Sequence, residues 1–282
     1  MNVAVSMWSL VLEAEAGRLD VQGFLHYAAP SGVRGVELLD VFWRDYEHEV
    51  AQVKSLLRET GLTVSAYAIA NDLVQSDEQE YAYQVQRIHE GVDNAQRLAA
   101  PFVRVFSGSA KEQISFDEGL RRIVDGLRSG AAYAQECSVT LVLENHGRFA
   151  GKADQVRCII ETVDSPALRA NFDTGNFLLV GQDSVTAARE LAPLVRYVHL
   201  KDFRKLATGE EAPDSYPGLD GSQYAGTVIG AGDVDLHSVL NALKRAAYDG
   251  WLSIEYEGGG DARRGLADSI AVSRRLIQEL AA

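Results

Sequence analysis

The chain alternates between two hydrophobic patterns. Short, nearly continuous runs rich in Val, Ile and Leu occur at 2–7, 33–38, 62–69, 102–106, 139–144, 168–173, 195–200 and 251–256. Such runs fit strands covered on both faces, as in a parallel sheet. Between them the apolar positions recur at helical spacing. In 45–60, Val50, Val53, Leu56 and Leu57 share one face with charges opposite, and Gly61 follows as a helix stop. Further helices are predicted at 77–99, which Pro101 follows, and at 116–136, 153–163, 183–191, 236–247 and 263–280. The pattern at 19–28 is the least regular.

Eight strands alternating with eight helices over roughly 250 residues predict a (β/α)8 TIM barrel. We expect one domain, 1–282. The rival is a doubly wound open sheet, which normally shows a glycine fingerprint after an early strand. The turn Met7-Trp8-Ser9-Leu10 has none. The least regular stretch is 203–232, with Pro213, Pro217 and scattered glycines and acidic residues. It reads as a long loop after the seventh strand. In a barrel it would belong to the catalytic face, where it could act as a lid.

Composition narrows the function classes. The 282 residues are 46% hydrophobic, enough for a substantial core, and the formal charge is −13. An acidic surface repels phosphate backbones and anionic lipid, which argues against nucleic-acid and membrane partners. No apolar run approaches the ~20 residues a membrane span needs. Residues 2–6 read as a strand without a basic lead-in, so a cytoplasmic location is expected. Cys137 and Cys158 sit in no CxxC, and both are expected to be small buried hydrophobes in or beside helices.

Four successive strand runs finish on residues able to bind a divalent metal: Glu144, Asp173, His199 and Glu255. Any one alone could cap a strand or a turn. Repeated at equivalent positions, the four predict one site at the barrel mouth, where strand C-termini converge. Three carboxylates and an imidazole suit one divalent ion, manganese foremost, with magnesium, cobalt and zinc as alternatives.

The segments Leu143-Glu144-Asn145-His146-Gly147, Asn171-Phe172-Asp173-Thr174-Gly175-Asn176 and Val198-His199-Leu200-Lys201-Asp202 carry a resemblance. So do Gly230-Ala231-Gly232-Asp233-Val234-Asp235 and the run from Tyr248 through Glu257. Together they resemble the xylose-isomerase-like superfamily of sugar (phosphate) isomerases and epimerases. That superfamily includes ketose 3-epimerases, hydroxypyruvate isomerase and inosose dehydratase. The resemblance implies that Glu144, Asp173, His199 and Glu255 are metal ligands, and that the two glutamates are also the catalytic acid/base pair. It further implies proton abstraction next to a carbonyl of a small sugar or cyclitol through a metal-stabilised enediolate. A dehydratase or lyase on a keto-sugar or inosose would use the same site.

Substrate contacts are expected from His146, Asn176, Lys201, Glu37, Trp8 and Arg204. Each has a plainer alternative. His146 could orient Glu144, Lys201 could pair with Asp202 or another carboxylate, and Glu37 could hold Arg34. Trp8 and Tyr67 could wall the pocket or pack in the core, while Asp233 and Asp235 fit turn-shaping and helix-capping roles. Two positions depart from the ketose 3-epimerases: Asn176 stands where they have a substrate-binding histidine, and Tyr197 where histidine is common.

Two other functions compete. Endonuclease IV-like DNA repair needs many histidines, whereas this chain has six, and His26, His48 and His89 fall in or near helices. The other is a barrel that binds sugar without turnover. Homo-oligomerisation would use Tyr81 and Tyr83 on the long helix.

Overall fold

The computed structural model describes residues 1–212 and 214–281. Pro213, in the expected loop, and Ala282, the end of the expected domain, lie outside the described residues. Eight parallel strands close into a barrel: β1 (Asn2–Ser6), β2 (Gly35–Leu39), β3 (Thr63–Ala68), β4 (Phe102–Val105), β5 (Thr140–Glu144), β6 (Leu168–Asp173), β7 (Val195–Leu200) and β11 (Trp251–Ile254). β1 pairs with β2 and β11, which closes the ring. Three short strands, β8 (Phe203–Lys205), β9 (Ser215–Pro217) and β10 (Gln223–Gly226), form a separate antiparallel sheet in the order β8-β10-β9. The stretch read as a loop therefore holds a small sheet. Its strands are too short and too polar to show a period-2 signal.

Helices cover the outside of the barrel, and their starts follow capping chemistry. Asp20, Asp45, Asp77, Ser115, Asp183 and Asp235 each accept a backbone N–H in the first turn of the following helix. The irregular pattern at 19–28 corresponds to Val21–Ala28. Two short helices, Val11–Glu15 and Asn176–Leu179, fall below the length at which hydrophobic periodicity can be read. Tyr81 packs inward, its hydroxyl donating to the Arg122 carbonyl at 2.9 Å, whereas Tyr83 is 54% exposed. Cys158 is exposed and Cys137 half-buried, which corrects the expectation of two buried thiols. Cys158 lies on the outer face of Ala153–Val163, where the apolar stripe does not need it.

The main core lies between strands and helices, while the barrel interior has its own small core. Ala66, Val142 and Tyr197 fill the interior, with Phe102 and Trp251 packed against them. Gly35 makes room for this layer, since a Cβ there would come within 2.6 Å of the Trp251 ring. Side chains alternate across a strand, so every second residue above this layer also points inward. That rule gives the sequence Phe102, Arg104, Phe106 on one strand, Val142, Glu144, His146 on the next, and Tyr197, His199, Lys201 on a third. Trp251, Ser253, Glu255 and Glu257 continue the series. The site is thus the polar end of the alternation that builds the barrel floor.

Candidate functional site

Glu144, Asp173, His199 and Glu255 are all buried, and each offers a ligand atom within 4.8 Å of the others. Strand register brings them together: Asp173 lies beside His199, Glu144 beside Asn171, and Ser253 beside His199. Glu255 follows directly after β11, and its backbone N–H donates to the Leu200 carbonyl at 3.0 Å.

Each group is fixed in place by its neighbours. Asp173 Oδ1 accepts the backbone N–H groups of Gly175 and Asn176 at 2.9 and 2.8 Å. Its Oδ2 is buried, accepts no hydrogen bond and faces Lys201 Nζ at 3.3 Å. His199 Nε2 lies 3.0 Å from Glu37 Oε1, and Glu37 Oε2 accepts from Ser253 Oγ at 2.9 Å. That pairing keeps a proton on Nε2 and turns Nδ1 towards Glu144, Glu255 and Asp173 at 3.4, 3.7 and 3.8 Å. Glu144 is held by the Asn176 amide at 3.1 Å and lies 3.2 Å from Arg104 Nε. A convergent imidazole nitrogen and three buried carboxylates fit a divalent ion of the hard-to-borderline class.

The charges are strongly coupled. Burial raises Asp173 to about 6, with the Glu144 and Glu255 charges adding to it against Lys201. Burial also raises Glu144, against the pull of Arg104 and His199. Burial works the same way on Glu255, but Lys201 and His199 outweigh it and hold this carboxyl at about 2. For His199 burial favours the neutral ring, yet Glu37, Glu255 and Glu144 lift it to about 10. Desolvation in the pocket lowers His146, and the charges of Lys201 and Arg104 add to that.

The remaining expected residues divide. Lys201 reaches the centre, with Nζ 2.6 Å from Glu255, 3.1 Å from Glu257 and 3.3 Å from Asp173. It does not pair with Asp202, whose carboxylate instead accepts the N–H groups of Gly230, Gly232 and Val234. Trp8, His146, Glu144, Glu255 and Lys201 line one cavity of about 140 Å³. His146 is exposed at its mouth, with its ring 4.8 Å from that of Phe106. Asn176 holds Glu144 from behind. Glu37 is fully buried beneath His199 and holds neither a substrate position nor Arg34. Arg204 lies on β8, its guanidinium bound to Glu210 at 2.6 and 3.1 Å, outside the cavity. Tyr67 is core, edge-on to Tyr46. Asp235 caps the helix Leu236–Arg245 and Asp233 accepts the Lys205 N–H.

Among the charged lining residues, Asp40 (held by Arg87), Arg104 and Glu257 escaped the sequence reading. Arg104 lies over the Phe106 ring at 3.9 Å and donates to the Ile69 carbonyl. Glu257 accepts from Trp8 Nε1 at 2.7 Å and pairs with Lys201. Both occupy inward positions of the alternation, and a lone arginine inside Phe102-Val103-Arg104-Val105 was the available signal. Tyr197 lies below the centre, its hydroxyl 2.8 Å from Ser65 Oγ and its ring edge-on to His199.

Comparison with known proteins places this geometry. Inosose dehydratase from Clostridium perfringens (strain 13 / Type A) is 29% identical over 143 residues, 50% of this chain and 48% of the relative. The chain thus matches about half the length of that curated relative. A D-tagatose 3-epimerase-like protein superposes with a TM-score of 0.80 at 18% identity, over 100% of this chain and 98% of that one. A xylose isomerase-like TIM barrel protein from Mycobacterium smegmatis, solved in complex with magnesium, gives 0.77 at 16% identity, over 100% and 98%. At such identities the likeness is one of fold. The family model described as xylose isomerase-like TIM barrel matches residues 25–276, and the chain belongs to that family.

Proposed function

We propose that this protein is a divalent-metal-dependent isomerase or epimerase that removes a proton next to the carbonyl of a small sugar or cyclitol. The observation that carries this reading is the convergence of Glu144 and Glu255 with Asp173 and His199 beside a cavity that the two glutamates line. Glu144, Asp173, His199 and Glu255 would hold the ion. When bound, it supplies charge withdrawal from the carbonyl and hydroxyl oxygens, which acidifies the carbon between them.

The protein's own groups perform the proton work. Glu255 is the base, kept ionised by Lys201 at 2.6 Å. Glu144 returns a proton from the other side of the centre, oriented by Asn176 and Arg104. Lys201 Nζ, between Glu255, Glu257 and Asp173, holds these carboxylates in place around the centre. Trp8 and Phe106 wall the cavity and exclude water from the reacting carbon.

The substrate in this reading is uncharged. Among the described lining residues the cations are Arg104 and Lys201, and both are already paired with carboxylates. A phosphate or carboxylate would find no unpaired cation there.

A dehydratase is the second reading, favoured by the inosose dehydratase relatives. Both readings predict solvent deuterium in the sugar when metal-loaded protein is incubated with ketoses and inososes in deuterated water. NMR of the product then separates an epimer or isomer from an unsaturated ketone. If no sugar across a broad panel exchanges, both readings fall.

A further inference from the structure

We propose that a second pocket beside the reaction cavity receives another uncharged ring of the substrate, so that the natural substrate is a ring-substituted keto-sugar rather than a free monosaccharide. The inference rests on the reading above for the reacting end. Trp8 and Glu257 line both the reaction cavity and a neighbouring pocket of about 110 Å³. The Trp8 Nε1–Glu257 hydrogen bond of 2.7 Å makes them one shared wall. A substrate whose carbonyl faces Glu255 can therefore extend past that wall into the second space.

The chemistry of the second pocket selects its occupant. Trp8, Leu12, Tyr216 and Tyr256 supply aromatic and aliphatic surface. Such walls suit the apolar face of a sugar ring or an aryl group. The charged lining residues are Asp214 and Glu257, so an anionic substituent is repelled. Leu12 is 55% exposed at the pocket's edge, a large apolar side chain that a bound ring would cover.

The small sheet after β7 contributes to this second pocket through Tyr216. Tyr216 comes from β9, and its ring lies 5.0 Å from that of buried Phe203. Tyr216 and Glu257 line the same pocket. Gly226 at the end of β10 bridges to Gly258, and a Cβ there would come within 2.2 Å of the Glu257 carbonyl oxygen. The sheet is thus seated directly on the shared wall.

The test uses the full metal-loaded chain with D-fructose and with lactulose and palatinose, ketoses that carry a second hexose. Expected is saturation transfer from protein to the second-ring protons. Also expected is a KM for deuterium exchange about tenfold lower for a two-ring sugar, equivalent to ~1.4 kcal/mol. Leu12→Arg should bring the two-ring KM up to the one-ring value, while Leu12→Met keeps the ratio and shows that the helix tolerates change. The proposal is overturned if second-ring protons receive no saturation, or if Leu12→Arg leaves the ratio of KM values unchanged. Absence of exchange with every sugar strikes the reaction instead, and saturation transfer still decides the second pocket.

Discussion

The two halves of the barrel end in different chemistry. In the later half, β5, β6, β7 and β11 each deliver one of the convergent groups Glu144, Asp173, His199 and Glu255. In the earlier half, β1 to β4 deliver supports: Glu37 under His199, Ser65 beside Tyr197, Arg104 beside Glu144 and Trp8 against Glu257. The difference teaches that a ligand set needs a second set of residues, remote in sequence, to fix which atom of each side chain faces the centre. Glu37 and His199 are 162 positions apart, yet their contact orients the imidazole.

The comparison can be broken in order of effect. Glu255→Gln or Glu144→Gln should lower deuterium exchange by ~10²–10⁴-fold, the usual weight of general acid–base groups. Retention of exchange near wild type in either variant would remove the later half's catalytic role. Glu37→Ala should weaken metal binding by roughly 10–100-fold, the range seen when a partner of a ligating histidine is lost. Titration calorimetry with manganese measures it. Glu37→Gln should fall between, because its amide oxygen still accepts from His199 Nε2. Equal metal affinity in Glu37→Ala and wild type would mean that the earlier half gives no support to the ligands.

A smaller effect is expected from Tyr197→Phe. It leaves a buried Ser65 hydroxyl short of one partner and should cost about 1 kcal/mol in denaturant unfolding. Its metal affinity should stay close to wild type, since the phenol touches the floor rather than the ligands. The smallest effect belongs to the outer helix caps. Hydrogen bonds from the Thr186 side chain and backbone hold Asp183 below the usual carboxylate range, and the Ser238 N–H does the same for Asp235. A carboxyl with a lowered folded-state pKa adds stability above its unfolded value of about 3.9 and loses it as pH falls through the folded value. Melting curves from pH 6 to pH 2 should therefore show Asp235→Asn flattening the acid loss of stability, with metal affinity at neutral pH unmoved.

Much of this molecule was legible in one dimension. Val139 to Glu144 reads as a strand with a carboxylate at its tip because a strand buried on both faces tolerates a charge only at its end or inside the barrel mouth. The alternation through Glu144, His146, His199 and Lys201 is likewise local. Arg104 and Glu37 obey the same period, but their meaning depends on partners contributed by other strands. Asn176 shows the limit well: its amide could reach a substrate by sequence, and only the fold turns it back onto Glu144 and the Asn145 carbonyl. Arg204 shows the reverse, since Glu210 draws it away from the mouth.

By itself the sequence determined the barrel, its strand order and the four convergent residues, because period and strand ends are properties of neighbouring positions. The tertiary structure alone decided which ring nitrogen of His199 faces the carboxylates, that Lys201 sits among them, and that the stretch after β7 folds as a small sheet over a second pocket. Those outcomes depend on distances across the closed ring, between side chains that no local pattern links.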